Sequence, residues 1–268
     1  MDHARNKTIG IVGGMGPQAG VALLNSITCM TGAAKDQEHL PAILMSFPGN
    51  IEDRTLFLEG NADINPAYSI ANIISRLEVA GANIIGIACN TSHSPRIYNV
   101  ITEELKKAGS EVRLVNMPVE TCRYIKDNCP QVSRVAVLST NGTYRSGVYN
   151  NLLHDMGFEV IVPEPEFQND VIHTMVYDAG FGIKSNAGCI TNEVNALMKK
   201  ALSFFRERRA DAIILGCTEF SLMPFGSQVN GMLVIDSTNV MARALIKEAT
   251  HSPTHSKRLV NEHDTLPI

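Results

Sequence analysis

The sequence lacks the features that mark membrane, nucleic-acid-binding and exported proteins. None of its 268 residues lies in an apolar run near the roughly 18 residues that a membrane-spanning helix needs. There is no basic excess: 23 Lys and Arg stand against 27 Asp and Glu, for a net charge of −4. This balance argues against a nucleic-acid partner, which usually requires clustered basic residues. No secretory signal is visible in the polar first seven residues, so we expect a cytoplasmic protein with no membrane partner.

Paired cysteine motifs are also missing. The six cysteines include no C-x-x-C pair, and Cys122 and Cys129 lack the neighbouring His or Cys of a zinc site. We therefore expect free thiols and no bound metal. Cys29, Cys122, Cys129 and Cys189 belong to none of the motifs described below and are interpreted as structural or incidental.

Short apolar runs alternate with longer helical patterns along the chain. Continuous apolar runs such as IGIV at 9–12 are typical of parallel strands covered on both faces. The predicted strands are Thr8–Val12, Ala42–Phe47, Asn83–Ala88, Arg113–Asn116, Arg134–Leu138, Glu159–Val162, Ala212–Leu215 and Leu233–Ile235. The predicted helices are Pro17–Met30, Pro66–Val79, Pro95–Ala108, Val119–Asn128, Tyr144–Met156, Phe167–Tyr177, Thr191–Arg208 and Thr238–Glu248. This alternation predicts an α/β fold with mainly parallel sheets flanked by helices.

Two segments of the chain resemble each other. Ala82–Ser92 and Ala210–Phe220 each contain an alanine, a polar residue, a short apolar strand, a cysteine, and then a hydroxyl or amide residue. Both cysteines follow a strand, at the sheet edge where α/β proteins bind ligands. We therefore expect two similar α/β lobes that face each other across a cleft. Residues 1–118 with 225–268 are predicted to form the first lobe, and residues 119–224 the second.

A glycine-rich turn joins the first predicted strand to the first helix. Its backbone N–H groups, just before Pro17, are free to hold an anion, and we place Met15 and Gly16 in the predicted substrate site. A dinucleotide-binding turn fits less well, because the last glycine of G-x-G-x-x-G comes one residue late, at Gly20. The second strand is also not followed by the acidic residue that would bind a ribose. A plain tight turn remains an alternative.

The motifs C-N-T at 89–91 and C-T-E at 217–219 contain the residues best suited to chemistry. A cysteine between a strand and a helix N-terminus lies near N–H dipoles that stabilise its thiolate. Two such cysteines can remove an α-proton from one face of a substrate and return a proton to the other. Glu219 would raise the pKa of a nearby thiol or orient a substrate ammonium group. Structural packing and a redox role remain alternatives for both cysteines.

Five segments together resemble the aspartate racemase branch of the aspartate/glutamate racemase family. They are IGIVGGMGP at 9–17, DRT at 53–55, ACNTSH at 88–93, STNGTYRSG at 139–147 and GCTE at 216–219. The resemblance implies a cofactor-independent, homodimeric racemase that acts on aspartate. Its fold would have two pseudosymmetric lobes, with the active site between them. It also implies that Cys89 and Cys217 form the opposed acid/base pair.

The resemblance further implies the groups that bind the substrate. Arg54 and Lys184 would hold the two carboxylates of a dicarboxylic amino acid, which suits a guanidinium fork and a point charge. The implied hydroxyl and amide contacts are Asn90, Thr91, Thr143 and Thr218. In glutamate racemases, the second cysteine motif resembles Gly-Cys-Thr-His, and an Asp-Ser pair follows the first strand. Glu219 and Gly14-Met15 occupy these places here, which favours aspartate.

Other small-molecule functions remain open at this point. Racemisation of glutamate or of hydantoins and isomerisation of maleate are related alternatives, since the enzymes that catalyse these reactions resemble this scaffold. A non-catalytic dicarboxylate-binding protein would need Arg54 and the glycine-rich turn but not both thiols. His93 would either tune Cys89 or cap the helix that begins at Ser94-Pro95, and capping with orientation is the favoured interpretation.

Overall fold

The structure, a computed structural model, describes residues 7–186 and 188–250. A first sheet has four parallel strands in the order β2-β1-β3-β4. They are β1 (Ile9–Gly13), β2 (Ala42–Ser46), β3 (Ile84–Ile87) and β4 (Arg113–Val115). A second sheet has the order β6-β5-β7-β9-β8, in which β8 alone pairs antiparallel. Its strands are β5 (Arg134–Leu138), β6 (Glu159–Ile161), β7 (Ala212–Leu215), β8 (Gln228–Val229) and β9 (Met232–Asp236).

Helices cover both sheets. Beside the first sheet are α1 (Pro17–Met30), α2 (Arg54–Glu59), α3 (Ala67–Val79) and α4 (Pro95–Lys107). Then follow α5 (Met117–Asn128), α6 (Asn141–Ser146), α7 (Val148–Asp155), α8 (Pro165–Phe167), α9 (Thr174–Tyr177), α10 (Asn192–Glu207) and α11 (Ser237–Thr250). We define the first lobe as β1–β4 with α1–α4 and α11, and the second lobe as β5–β9 with α5–α10. The predicted α/β fold with two mainly parallel, helix-flanked sheets is confirmed.

Strand β1 shows why the apolar runs become parallel strands. All five of its residues are buried. Val12 packs into a cluster with Leu77 and Ile85, whereas Ile9 and Ile11 belong to a cluster on α1 and α11. Apolar residues are therefore needed on both faces of the strand. Position 10 has no room for a side chain against the neighbouring strand, because a Cβ there would lie 2.5 Å from Ile85 Cδ1.

Two predicted helices differ from the structure in detail. The segment predicted as one helix over Tyr144–Met156 forms α6 and α7, separated at Gly147, whose φ of 66° is left-handed. The segment predicted over Phe167–Tyr177 includes a π-helical turn, Gln168–His173, between α8 and α9. Neither α2 nor β8 is predicted, since six and two residues are too short to show a period.

The end of the chain returns to the first lobe later than predicted. Residues 225–268 are predicted to complete the first lobe, but β8 and β9 lie in the second sheet. The reason is that β9 pairs in parallel with the buried strand β7. Only α11 packs on the first sheet, where Leu245 and Met241 lie against Gly86. Residues 251–268 lie outside the described residues, and the remaining lobe boundaries stay a prediction.

Within the described parts of the chain, no helix is both long and apolar enough to cross a bilayer.

Candidate active site

Residues that follow strands of both sheets line one cavity of about 10 Å³. This is about the space that one water molecule needs, so the side chains that line the cavity are closely packed. The lining residues are Met15, Arg54, Cys89, Asn90, Thr91, Thr140, Tyr177, Lys184, Cys217, Thr218 and Glu219. Nine of the eleven residues predicted for the site are among them.

The other two predicted residues lie one contact away from the cavity. The Gly16 N–H donates a hydrogen bond to Glu219 Oε1 over 3.3 Å. The hydroxyls of Thr143 and Thr91 are 2.8 Å apart and share a hydrogen bond. Both contacts join the first lobe to the second. The glycine-rich turn therefore points an N–H at an anionic group, but that group is a carboxylate of the protein itself.

Cys217 is held as a thiol by its surroundings. Its Sγ donates a hydrogen bond to Glu219 Oε2 over 2.9 Å, and both side chains are buried. Burial raises the pKa of the Cys217 thiol well above its ordinary value, and the Glu219 carboxylate raises it further. Lys184 opposes this shift but does not cancel it. Cys217 is thus suited to donate a proton.

Lys184 and Glu219 form an ion pair at the same place. Lys184 Nζ lies 2.7 Å from Glu219 Oε1. Burial opposes both charges, but Lys184 and the hydrogen bonds to Glu219 together outweigh it and lower the pKa of Glu219 below the usual value. Glu219 and Cys217 together outweigh burial at Lys184 and raise its pKa. The pair therefore stays charged, with the ammonium at the cavity wall.

Arg54 stands beside Cys89 on the other side of the cavity. It is buried at the start of α2, where Asp53 Oδ1 accepts hydrogen bonds from the Thr55 and Leu56 N–H groups. Burial opposes the guanidinium charge, but Cys89, Tyr177 and Asp53 together outweigh it and raise the pKa of Arg54. Arg54 thus places a positive charge beside Cys89, whereas the Cys217 thiol faces the Glu219 carboxylate.

The guanidinium of Arg54 is only partly satisfied by the protein. Nη1 donates to the Glu52 carbonyl over 3.1 Å and Nη2 to the Met15 carbonyl over 3.2 Å. The buried Nε has no hydrogen-bond partner among the described residues. A buried donor without an acceptor is costly and calls for an explanation. An anionic ligand in the cavity would supply the acceptor.

Asn90 is used largely to hold the lobes together. Its Nδ2 donates to Ser237 Oγ over 3.1 Å, and its Oδ1 accepts from the Tyr149 hydroxyl over 2.6 Å. Ser237 Oγ in turn donates to the Leu215 carbonyl at the end of β7 over 2.7 Å. Asn90 therefore ties the end of β3 to the end of β7, next to both cysteines.

His93 does not cap α4, so the capping part of the favoured prediction is wrong, whereas its hydrogen bonds agree with an orienting role. The N-cap residue of α4 is Ser94, and the helix has no side-chain capping hydrogen bond. His93 Nδ1 lies 2.9 Å from the Cys89 carbonyl and donates to it, and Nε2 accepts from the Met117 N–H over 3.3 Å. Complete burial lowers the pKa of His93 to about 4. A neutral ring thus fastens the backbone of Cys89 to the start of α5.

Two cavity residues are absent from the sequence prediction. Thr140 follows β5 inside the motif STNGTYRSG, and its place after a strand is a signal that could have identified it. Tyr177 ends α9, seven residues before Lys184, and no motif marks it. Within the described residues, no group of three or more His, Cys, Asp or Glu is placed to hold a metal ion.

Comparison with known families agrees with this geometry. The sequence profile of the Asp/Glu/hydantoin racemase family matches residues 12–245. The chain belongs to this family. A broad-specificity amino-acid racemase from Bacillus subtilis is 29% identical over 158 residues. That match covers 57% of this chain and 63% of the relative, less than two thirds of its length.

Solved structures of the family share the fold. The aspartate racemase of Picrophilus torridus is 30% identical, with a TM-score of 0.72 over 91% of this chain and 94% of that one. An aspartate racemase homologue from Pyrococcus horikoshii has 23% identity and a TM-score of 0.66, covering 91% and 100% of the two chains. A glutamate racemase from Francisella tularensis, in complex with D-glutamate, has 19% identity and a TM-score of 0.62, covering 91% and 81%. The last two likenesses concern the fold alone.

Proposed function

We propose that this protein is a cofactor-independent amino-acid racemase that interconverts L- and D-aspartate by a two-base mechanism. The observation that carries the proposal is the placement of two buried cysteines from different sheets, Cys89 and Cys217, on one cavity. Membership of the family and the likeness to the aspartate racemase of Picrophilus torridus support the reaction class.

The proposed reaction moves one proton in and one proton out. The Cys89 thiolate removes the α-proton, so that an S–H bond forms as the Cα–H bond breaks and its electron pair remains on the substrate. The Cys217 thiol then gives its proton to the opposite face of Cα and becomes a thiolate. The configuration is inverted, and the reverse reaction starts from the other cysteine. Each cysteine serves once as acid and once as base.

Acidic amino acids fit the proposed site because it offers two cationic positions. Arg54 has a buried Nε–H without an acceptor among the described residues, and Lys184 places an ammonium at the cavity wall. A dicarboxylate can satisfy both, with a forked contact at the guanidinium and a point contact at the ammonium. Glu219 lines the cavity beside Lys184, and its carboxylate is available to the substrate ammonium. These charges support aspartate over neutral amino acids.

The test is incubation with L-aspartate in D₂O without pyridoxal phosphate, followed by chiral chromatography and mass spectrometry. We expect D-aspartate that carries one deuterium at Cα. Cys89→Ala and Cys217→Ala should each abolish inversion. Full activity in either variant would contradict the two-base mechanism.

A broader substrate range is the second candidate, since the Bacillus subtilis relative is described as a broad-specificity racemase. A panel of L-glutamate, neutral amino acids, a hydantoin and maleate separates this from aspartate specificity. Turnover of neutral amino acids at a rate similar to that of aspartate would favour the broad range. Thermal stabilisation by aspartate without any α-proton exchange would instead indicate a non-catalytic dicarboxylate-binding protein.

We also propose a homodimer in the cytoplasm. The mechanism needs both thiols reduced, which a reducing compartment provides. Phe47 and Tyr68 line one surface depression on the first lobe, and Val79 lies further along α3 with 91% of its surface exposed. Exposed apolar side chains grouped in this way favour contact with a second copy. Sedimentation should show a dimer that Tyr68→Asp with Val79→Asp converts to monomer; an unchanged dimer would exclude this surface.

A further inference from the structure

Tyr177 forms a bond between the lobes at the edge of the catalytic cavity. It lies at the end of α9 in the second lobe and lines the cavity. Its hydroxyl donates a hydrogen bond to Asp53 Oδ2 over 2.9 Å and lies 3.4 Å from Thr55 Oγ1. Both partners belong to the first lobe, 124 and 122 residues away in sequence. The sequence prediction assigns Tyr177 no role.

Asp53 transmits this contact to Arg54. While Oδ2 accepts from Tyr177, Oδ1 accepts from the N–H groups of Thr55 and Leu56 and fixes the first turn of α2. Burial would raise the pKa of Asp53, but Arg54 and these hydrogen bonds lower it, so the residue stays a carboxylate. Burial and Asp53 raise the pKa of Tyr177, so its hydroxyl keeps the proton that it donates. The contact is therefore a charge-assisted hydrogen bond.

The ring of Tyr177 contacts the second cation. Lys184 Nζ lies 5.4 Å from the ring centroid, within the range of a cation–π interaction. The ring also stacks on His173, with centroids 4.4 Å apart. The backbone of Lys184 is tied nearby, since its N–H donates to the Val176 carbonyl over 3.2 Å. The Tyr177 side chain thus contacts both Asp53, which caps α2 just before Arg54, and the ammonium of Lys184.

We propose that Tyr177 is a positioning residue that sets the spacing between Arg54 and Lys184, and so the fit of a dicarboxylate between them. This rests on the proposed function, because the spacing matters only if both cations bind the substrate. Substrate misplaced by about 1 Å can lose about a hundredfold in rate. The hydroxyl holds the lobes at the required separation, and the ring directs the ammonium.

The test compares Tyr177→Phe with Tyr144→Phe. Tyr144 is a matched control, because its hydroxyl donates a single hydrogen bond of 3.0 Å to the Pro163 carbonyl and it does not line the cavity. Loss of a bond to a charged group should lower kcat/KM for aspartate about tenfold in Tyr177→Phe, mostly through KM. In D₂O this variant should also return deuterated substrate of unchanged configuration, because the loosened site lets the abstracted proton exchange. Tyr144→Phe should show neither effect.

Hydrogen exchange in the ligand-free protein separates this inference from the proposed function. Amides at residues 54–59 should exchange faster in Tyr177→Phe than in the wild type or in Tyr144→Phe. If the wild type does not racemise any amino acid but this difference is seen, the proposed function fails and the lobe contact stands. If the wild type racemises aspartate while Tyr177→Phe matches Tyr144→Phe in KM, deuterated substrate and exchange, the inference is overturned.

Discussion

The two cysteines occupy matching places in the two lobes but have opposite electrostatic surroundings. Each follows a buried four-residue strand, β3 or β7, and each lines the same cavity. Cys89 has the guanidinium of Arg54 beside it, whereas the Cys217 thiol donates to the carboxylate of Glu219. The repeated backbone therefore places two thiols, and unrelated side chains give them opposite electrostatic surroundings. In the proposed mechanism one cysteine acts as the acid while the other acts as the base.

The support behind the two cysteines also differs. Four residues after Cys89, His93 fastens the Cys89 carbonyl to α5. The corresponding residue of the second motif is Ser221, which donates to Asp236 Oδ1 over 2.7 Å. One half is thus held by a buried titratable ring and the other by a hydroxyl. The halves should therefore respond differently to pH as well as to substitution.

Single substitutions of Cys89 or Cys217 should cause the largest loss of racemisation. Cys89→Ser and Cys217→Ser should each lower inversion by about 10³-fold, because a serine hydroxyl is a poor acid and base at neutral pH. Each variant keeps one thiol and should exchange the α-proton of only one enantiomer in D₂O, and the two variants should prefer opposite enantiomers. Proton NMR of both enantiomers measures this exchange.

The exposed Cys189 supplies the control for this experiment. Cys189→Ser should retain wild-type inversion and exchange. If Cys89→Ser and Cys217→Ser exchanged the same enantiomer, the two cysteines would not face opposite sides of the substrate.

His93 should make the Cys89 side of the fold sensitive to acid. The folded protein keeps His93 neutral down to a pKa of about 4, whereas the unfolded chain takes up a proton below about 6.5. Stability is therefore lost as pH falls from about 6.5 to about 4, by roughly 3 kcal/mol in total. Urea unfolding across this range should show the loss in the wild type and much less of it in His93→Gln.

The exposed His154 is the matched control for His93. His154→Gln should keep the wild-type dependence of the free energy of unfolding on pH. If His93→Gln kept it too, the acid sensitivity would come from other groups.

The backbone of both halves follows from the sequence because burial selects its residues. Each of the eight predicted strands coincides with a strand of the structure to within two residues at either end. Continuous apolar runs can be stable only between two layers of helices. The first turn of α2 is not predicted, because it is fixed by the cap that the Asp53 side chain provides rather than by a hydrophobic period.

The contacts that distinguish the two halves do not follow from the sequence. Motifs identified both cysteines and the two cations, but not the pairing of Lys184 with Glu219, which are 35 residues apart. Nor did they identify Tyr177, whose partner Asp53 lies in the other lobe. Such pairings depend on how the lobes dock, and no local periodicity or spacing encodes that. The residue types were predictable, whereas the charges and hydrogen bonds that surround them required the structure.

Arg54→Lys should weaken the Cys89 side while keeping its charge. The ammonium cannot reproduce the bonds to the Glu52 and Met15 carbonyls together with the free Nε–H. We expect KM for aspartate to rise about thirtyfold, the loss of one hydrogen bond to a charged group. Arg145→Lys, at an exposed ion pair with Glu59, should leave KM unchanged. Equal KM values in both variants would show that Arg54 does not bind a substrate carboxylate.

Glu219→Gln makes the Cys217 side more like the Cys89 side. The substitution removes the carboxylate that raises the pKa of the Cys217 thiol and leaves Lys184, which lowers it. The alkaline limb of kcat/KM, where Cys217 loses its proton, should therefore move to lower pH. Burial still acts on the thiol and is the larger cause, so the shift is only partial. Glu219→Asp keeps the charge and should keep the limb close to its wild-type position. If the limb did not move in Glu219→Gln, burial alone would set the protonation of Cys217, and the charges around the two cysteines would not distinguish acid from base.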